Sequence, residues 1–369
     1  MTESQVRLFA TSRSWLDGEA VRQLYASAGM DGVRLAVGFP DLHVGKGAPV
    51  GAAFVTEGLI YPRLIGGDIG CGMALFQTNL TSREANVDEW VDKYFHLEHP
   101  WDEAPDKFLA EHELESTAFD TALGTIGGGN HFAELQKVET VFSAREFRLS
   151  GIAKDRLLML VHSGSRGLGE SVLRAYEGQH FGDAIEADSF AAQEYLRGHD
   201  QGLRWAKANR ELIARRFVAK LGAKAKRLWD GCHNSITRCG DGWLHRRGAV
   251  ATGKGFVVIP GSRGALSYVV KPKGNGQANV WSLAHGAGRK WLRSEARLRM
   301  RERFSVEELV QTRLGSRVIC EERDLLYEEA PEAYKNIEGV VADLVAAGLV
   351  SVIATLRPLL TYKTRKPRR

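Results

Sequence analysis

The sequence predicts a mixed α/β fold of the α+β kind, organised as one compact domain over residues 1–369. Three observations carry this reading. Short apolar runs bounded by glycine read as buried strands. Two apolar stripes at helical spacing lie among them, and the two kinds of segment do not alternate as βαβ units. No shift of composition marks a domain boundary, and no fixed-period repeat is present.

In chain order, glycine-rich stretches fall at Gly38 to Gly51, Gly66 to Gly72, Gly124 to Gly129 and Gly164 to Gly169, and again at Gly261 to Gly264 with Gly286 and Gly288. Glycine is costly inside helices and strands, so these stretches read as tight loops around a ligand. Leu157 to Val161 and Phe256 to Ile259 read as buried strands. Ile213, Phe217 and Leu221 recur at i, i+4 and i+8 in a segment rich in Arg and Lys. Ile337, Val340, Val341, Leu344 and Val345 form the second helical stripe, which Gly348 stops.

Apolar residues make up 44% of the chain and charged residues 26%, the balance of a soluble protein. No run approaches the ~18–20 apolar residues of a membrane span, and the N-terminus has no signal pattern. The four cysteines Cys71, Cys232, Cys239 and Cys320 form no CxxC pair. A reduced, cytoplasmic protein without a membrane partner is therefore expected. A net charge of +5 suits an anionic partner.

Five histidines sit beside glycine-rich or small-residue loops: His43, His131, His162, His233 and His285. Asp68 and Cys71 stand at D-x-x-C spacing within a glycine-rich turn. One carboxylate, one thiolate and several imidazoles suit a divalent transition metal, zinc or iron before manganese by donor type alone. A bridging Cys71 would serve two ions. Any one of these histidines alone is more often a satisfied structural residue. No HExxH or CxxC signature is present, so the ligands must converge from distant segments.

Gly164 to Gly169 and Pro260 to Gly264 combine hydroxyls, arginines and bare amides, which is either ordinary turn chemistry or an anion cradle. Neither is a P-loop. If a helix begins at His285, then His285 and Arg289 share one of its faces. A neutral imidazole there would attack phosphorus while Arg289 holds the charge. The basic run Arg204 to Arg227 and the tail Lys363 to Arg369 read as solvated surface or as RNA-backbone contacts.

Ten segments in order, from Pro40 to Lys363, resemble the RtcB family of RNA ligases. They are PDLHVGKGAPVG, GGDIGCGMAL, GTIGGGNHFAE, HSGSRGLG, HN, HRRGA, IPGSRGALSY, HGAGR, EEAPEAYK and LRPLLTYK. The resemblance implies a single catalytic domain with mixed sheets, flanking helices and a central dinuclear metal pocket. Asp68, Cys71 and His131 would hold one Mn²⁺, and Cys71, His162 and His233 a second. His285 would be guanylylated by GTP. Asn130 would touch the nucleotide phosphates. Phe132, Glu134, Ser262, Ser267, Tyr334 and Lys363 would enclose the guanosine. Arg289 and Arg166 would neutralise phosphates.

The implied reaction joins an RNA 3′-phosphate or 2′,3′-cyclic phosphate to a 5′-hydroxyl. It passes through a histidine–GMP adduct and an RNA-(3′)pp(5′)G end. The chain is shorter than common members, and it reads Val44-Gly45-Lys46-Gly47 and Gly67-Asp68-Ile69-Gly70 where many differ. In this it resembles a compact bacterial subgroup often encoded beside a release-factor-like protein. That subgroup resembles a repair ligase for damaged structured RNA such as ribosomal RNA. Two other classes compete with this reading: a phosphoesterase that opens cyclic phosphate ends without ligating, and a non-catalytic RNA- or ribosome-binding module.

Overall fold

The structure is a computed structural model that describes residues 5–93, 95–179, 184–253 and 255–365. Its largest sheet has eight strands. Seven run in the order Val257–Ile259, Ser267–Pro272, Val350–Thr364, Phe132–Val141, Arg156–Ser163, Gly72–Thr81 and Ala225–Cys232, and Arg317–Cys320 also pairs with Val350–Thr364. The sheet curls like a barrel. Trp229, in its last strand, comes back to Phe256 beside the first, with ring centroids 6.4 Å apart.

A second sheet of five strands runs in the order Gln5–Leu8, Val33–His43, Val50–Thr56, Gly242–Arg247 and Asn234–Cys239. Most pairs in both sheets are antiparallel, which is why no βαβ rhythm shows in the sequence. The apolar run at Leu157 to Val161 lies within the strand Arg156–Ser163, buried on both faces. The run ending at Ile259 forms the short strand Val257–Ile259.

The first helical stripe belongs to a 30-residue helix, Phe190–Ala219, capped where the Ser189 hydroxyl accepts from the Ala192 amide. Ile213 and Phe217 face the barrel-like sheet, and Phe217 stacks on Phe95 at 4.1 Å. Leu221 lies beyond the helix end, so the stripe is shorter than its spacing suggests. The basic run does not form one surface. Arg210 is buried, and Lys226 and Arg227 belong to the strand Ala225–Cys232. Arg204, Lys207, Arg215, Lys220, Lys224 and Lys226 are exposed. The second stripe is the helix Ile337–Ala346, and Gly348 follows it at φ 68°. Of the basic tail, Lys366 to Arg369 lie outside the described residues.

No helix among the described residues is long and apolar enough to cross a membrane.

A candidate metal centre beside a nucleotide-sized cavity

Four neighbouring strands of the large sheet end together at one edge. His131 immediately precedes Phe132–Val141, and His162 lies near the end of Arg156–Ser163. Cys71 precedes Gly72–Thr81, and His233 follows Ala225–Cys232. The register aligns them: His162 pairs with Phe132 on one side and Met73 on the other, and Gly72 pairs with Cys232. Gly72 is needed for that closeness, since a Cβ there would stand 2.5 Å from the Gly231 carbonyl.

The result is two donor groups that share one thiol, Asp68–Cys71–His131 and Cys71–His162–His233. Cys71 Sγ lies 3.2 Å from His162 Nε2 and 3.5 Å from His131 Nε2. His131 Nε2 is 3.2 Å from Asp68 Oδ2. The outer nitrogens are committed elsewhere: His131 Nδ1 donates to Ile126 O and His162 Nδ1 to Asn130 O, both at 3.1 Å. Both carbonyls belong to the Gly124 to Gly129 loop or its flank, so that loop sets the tautomers. Each Nε2 is then a lone pair aimed at other acceptors. His233 Nδ1 is buried with no hydrogen-bond partner among the described residues.

Acceptors that converge in a buried pocket are unfavourable unless a cation or a proton lies between them. Burial lowers the pKa of His162 and His233 well below normal, and keeps them in the neutral form that metals require. Burial raises the Cys71 thiol well above normal, and Asp68 adds to this. The donor types therefore fit a transition-metal ion at either group.

Arg210 braces this edge from behind. It is 1% exposed. It grips Asp230 with two bonds of 2.9 and 2.7 Å, and its Nη1 donates to Gly70 O at 2.8 Å and Ser163 O at 2.9 Å. Those carbonyls adjoin Cys71 and His162. Arg210→Met is expected to cost about 2–4 kcal/mol, because it strips the half-buried Asp230 of its partner and leaves the Gly70 and Ser163 carbonyls without their donor. Denaturant melts of the two proteins would measure the loss.

His285 lies just past the strand Ser282–Ala284 and faces the same centre, its ring 4.7 Å from that of His233. No helix begins there. The next is Arg293–Arg303, so the shared helix face expected for His285 and Arg289 does not exist. Gly288 at φ 72° turns the chain instead, packed against Asp41, where a Cβ would meet the Asp41 carbonyl at 2.2 Å. Arg289 points away from His285. It donates to Glu329 Oε1 at 2.9 Å, Tyr334 Oη at 3.2 Å and Glu328 O at 2.8 Å.

Asp41 carries no motif that marks it in the sequence. Asp41 is fully buried, and its Oδ2 accepts from both His285 Nδ1 at 2.7 Å and the His285 amide at 3.1 Å. His285 Nε2 is thereby left as the free lone pair. The signal was a carboxylate set among Gly38 to Gly51, one residue after a proline.

Beside His285 opens a cavity of about 1020 Å³ lined by Asn130, Phe132, Glu134, Ser262, Tyr334 and Lys363, with Arg289 and His285. Ser267 does not line it. That side chain is buried behind, accepting from Gln136 Nε2 at 2.9 Å. Glu134 accepts from Gln136 at 2.6 Å and from the Thr361 hydroxyl. Burial pushes its carboxyl up to about 7. Glu329, also unforeseen, closes the far wall: Lys363 Nζ is 3.6 Å away, and Arg289 and the Tyr334 hydroxyl bind it. Burial opposes its charge, but Lys363 and Arg289 hold it down to about 2.

A smaller cavity of about 340 Å³ opens on the other side of the donor cluster, lined by Asp68, His131, Arg166 and Glu170. Asn130 and Arg293 line both cavities. Arg166 has φ 56°, and its Nε is buried with no partner among the described residues.

A family model described as tRNA-splicing ligase RtcB matches this chain over residues 23–100 and 99–364. RNA-splicing ligase RtcB2 of Escherichia coli strain ATCC 25922 is 44% identical over 361 residues, covering 96% of this chain and 94% of that protein. RNA-splicing ligase RtcB of Escherichia coli K12 is 28% identical, covering 94% and 95%. The tRNA-splicing ligase RtcB of Methanococcus maripaludis is 27% identical, covering 93% and 91%.

Proposed function

The chain belongs to the RtcB family of RNA ligases, and from that premise we propose that it seals RNA 3′-phosphate or 2′,3′-cyclic phosphate ends to 5′-hydroxyl ends, using GTP and two Mn²⁺ ions. The observation that carries this reading is the Asp41–His285 pair, aimed from one side at a metal-type donor cluster and open on the other to the large cavity.

In this reading Asp41 holds the Nδ1–H, and His285 Nε2 attacks the α-phosphorus of GTP. A P–N bond forms and the bond to pyrophosphate breaks. Water first opens a cyclic end to a 3′-phosphate. An oxygen of that 3′-phosphate then displaces His285 from the GMP, which gives the RNA-(3′)pp(5′)G end. The 5′-hydroxyl attacks the RNA phosphorus, GMP leaves and the strand is joined. Asp68, Cys71, His131, His162 and His233 would hold the metal pair, which supplies Lewis-acid stabilisation of phosphate charge. Asn130 lies between the two cavities, where a nucleotide phosphate and an RNA end would meet. Arg166 would neutralise the RNA phosphate from the smaller cavity.

Phe132, Glu134, Ser262, Tyr334 and Lys363 would surround the guanosine. Arg289 would act by ordering the Tyr334–Glu329 wall, and Ser267 by holding Gln136 against Glu134. Glu134→Gln is expected to raise the KM for GTP by about 10- to 100-fold, the scale of a lost hydrogen bond to a charged group. Labelling rates across GTP concentrations would measure it.

The role we propose is repair of broken structured RNA in the cytoplasm. The resemblance of this compact chain to ligases encoded beside a release-factor-like protein supports it, and makes such a protein or the ribosome the candidate partner. All four cysteines are unpaired, as a reducing compartment would leave them.

The test is incubation with Mn²⁺ and GTP labelled at the α-phosphate. Label that stays on the denatured chain in an acid-labile, base-stable bond supports the ligase. Metal-loaded protein that takes no label, yet hydrolyses cyclic phosphate ends, would instead be a phosphoesterase.

A further inference from the structure

Lys335 lines neither cavity, yet it is buried to 7% exposure. Its Nζ donates to Pro40 O at 3.0 Å and Leu42 O at 2.6 Å, the two carbonyls that flank Asp41. Those carbonyls lie where the strand Val33–His43 departs from its register with Val50–Thr56, between the pairs Gly38–Ala52 and His43–Val50. Backbone groups there need partners from outside the ladder, and the ammonium supplies two donors. The Lys335 amide also donates to Gly288 O at 2.9 Å, and Lys290 N to Ala333 O at 2.8 Å. One residue thus joins the Asp41 segment, the loop that carries His285, and the segment of Tyr334.

Burial lowers the Lys335 ammonium to about 8, against the pull of Asp41, Asp17 and Asp343, so it is mostly charged at neutral pH. Its charge faces Asp41, whose Oδ1 has no hydrogen-bond partner among the described residues.

We propose that Lys335 is a positioning residue for the nucleophilic step. By holding the carbonyls on both sides of Asp41, it fixes the carboxylate that orients His285. The reaction in this inference rests on the function proposed above; the orientation of His285 does not.

The experiment compares wild type, Lys335→Met, Asp41→Asn and the double variant, with melting curves for each. In single-turnover labelling, K335M is expected to be slower by about tenfold or more at saturating GTP, the scale of a small misplacement of a reacting group. Its half-saturating GTP concentration should stay within about twofold of wild type, because Lys335 lines no cavity. In the D41N background K335M should add less than about twofold, since both changes break one linkage. The ¹⁵N spectrum of unliganded, histidine-labelled protein should show the Nδ1–H tautomer of His285 in wild type and its loss in K335M.

A K335M labelling rate within about twofold of wild type, a full multiplicative loss in the double variant, or an unchanged tautomer would each overturn the proposal. If K335M does not fold, Lys335→Gln carries the same comparisons with the same expectations. If wild type takes no label, the ligase reading fails, and the tautomer comparison alone decides the role of Lys335.

Discussion

His285→Ala is expected to abolish GTP labelling, with a loss on the order of 10⁴-fold or more, the scale of removing a covalent nucleophile. The reasons are local. His285 is held by two bonds to one oxygen of a fully buried aspartate, which leaves Nε2 directed away from Asp41. Its neighbours are placed differently. His43, its stacked neighbour at 6.2 Å, bonds through Nδ1 to the Asp41 carbonyl rather than to a carboxylate, and His233 belongs to a metal-type donor group. His131 and His162 direct their Nε2 atoms at Cys71. His285 is absent from both metal-type donor groups, so metal binding should stay within about twofold of wild type. Radiolabel on the denatured chain and metal content by mass spectrometry check the two halves. Label retained in H285A would remove His285 from the mechanism.

Cys71→Ala is expected to lose metal and activity together. Cys71 is the one residue common to both donor groups among the described residues, so its removal weakens both at once. The affinity loss should exceed about 10²-fold, the upper range for losing an outer partner of a metal ligand. Burial holds the free thiol protonated at neutral pH, so binding a metal must release that proton. Affinity in wild type should therefore rise with pH, by about tenfold per unit while the free protein keeps its thiol protonated. C71A should lose this slope. Calorimetric titration with Mn²⁺ at several pH values reads both effects. A pH-independent affinity in wild type would remove the thiol from the site. The side chain is small and 2% exposed, so the fold should survive at a cost of about 1–2 kcal/mol.

Much of the candidate site is legible because donor groups of this kind are built from rare side chains beside glycine. Asp68, Cys71, His131, His162, His233 and His285 each adjoin a segment where bare backbone allows close approach. At Gly72 and Gly288 the contacts that forbid a side chain are explicit. Asp41 and Glu329 do not stand out in the sequence, for a physical reason. An acidic residue is common in any sequence, and what makes these two unusual is burial, which no local pattern reports. The helix expected at His285 failed because i, i+4 spacing has no meaning across Gly286 and Gly288, which turn the chain. Arg289 then points toward Glu329 and Tyr334, and that pairing joins segments 40 and 45 residues apart.

By itself the sequence determined the mixed α/β class, the helix Ile337–Ala346, the buried strand through Leu157 to Val161, and the inventory of donors for metal and phosphate. Each follows from short-range periodicity or from side-chain chemistry, both of which are local. The tertiary structure alone decided which donors meet and which atoms they offer. Antiparallel register places Cys71, His131, His162 and His233 at one edge. Carbonyls from the Gly124 to Gly129 loop and its flank set the tautomers. Asp41 reaches a histidine 244 residues away. Such contacts depend on how strands pair and where charges are stripped of water, and both are properties of the packed chain.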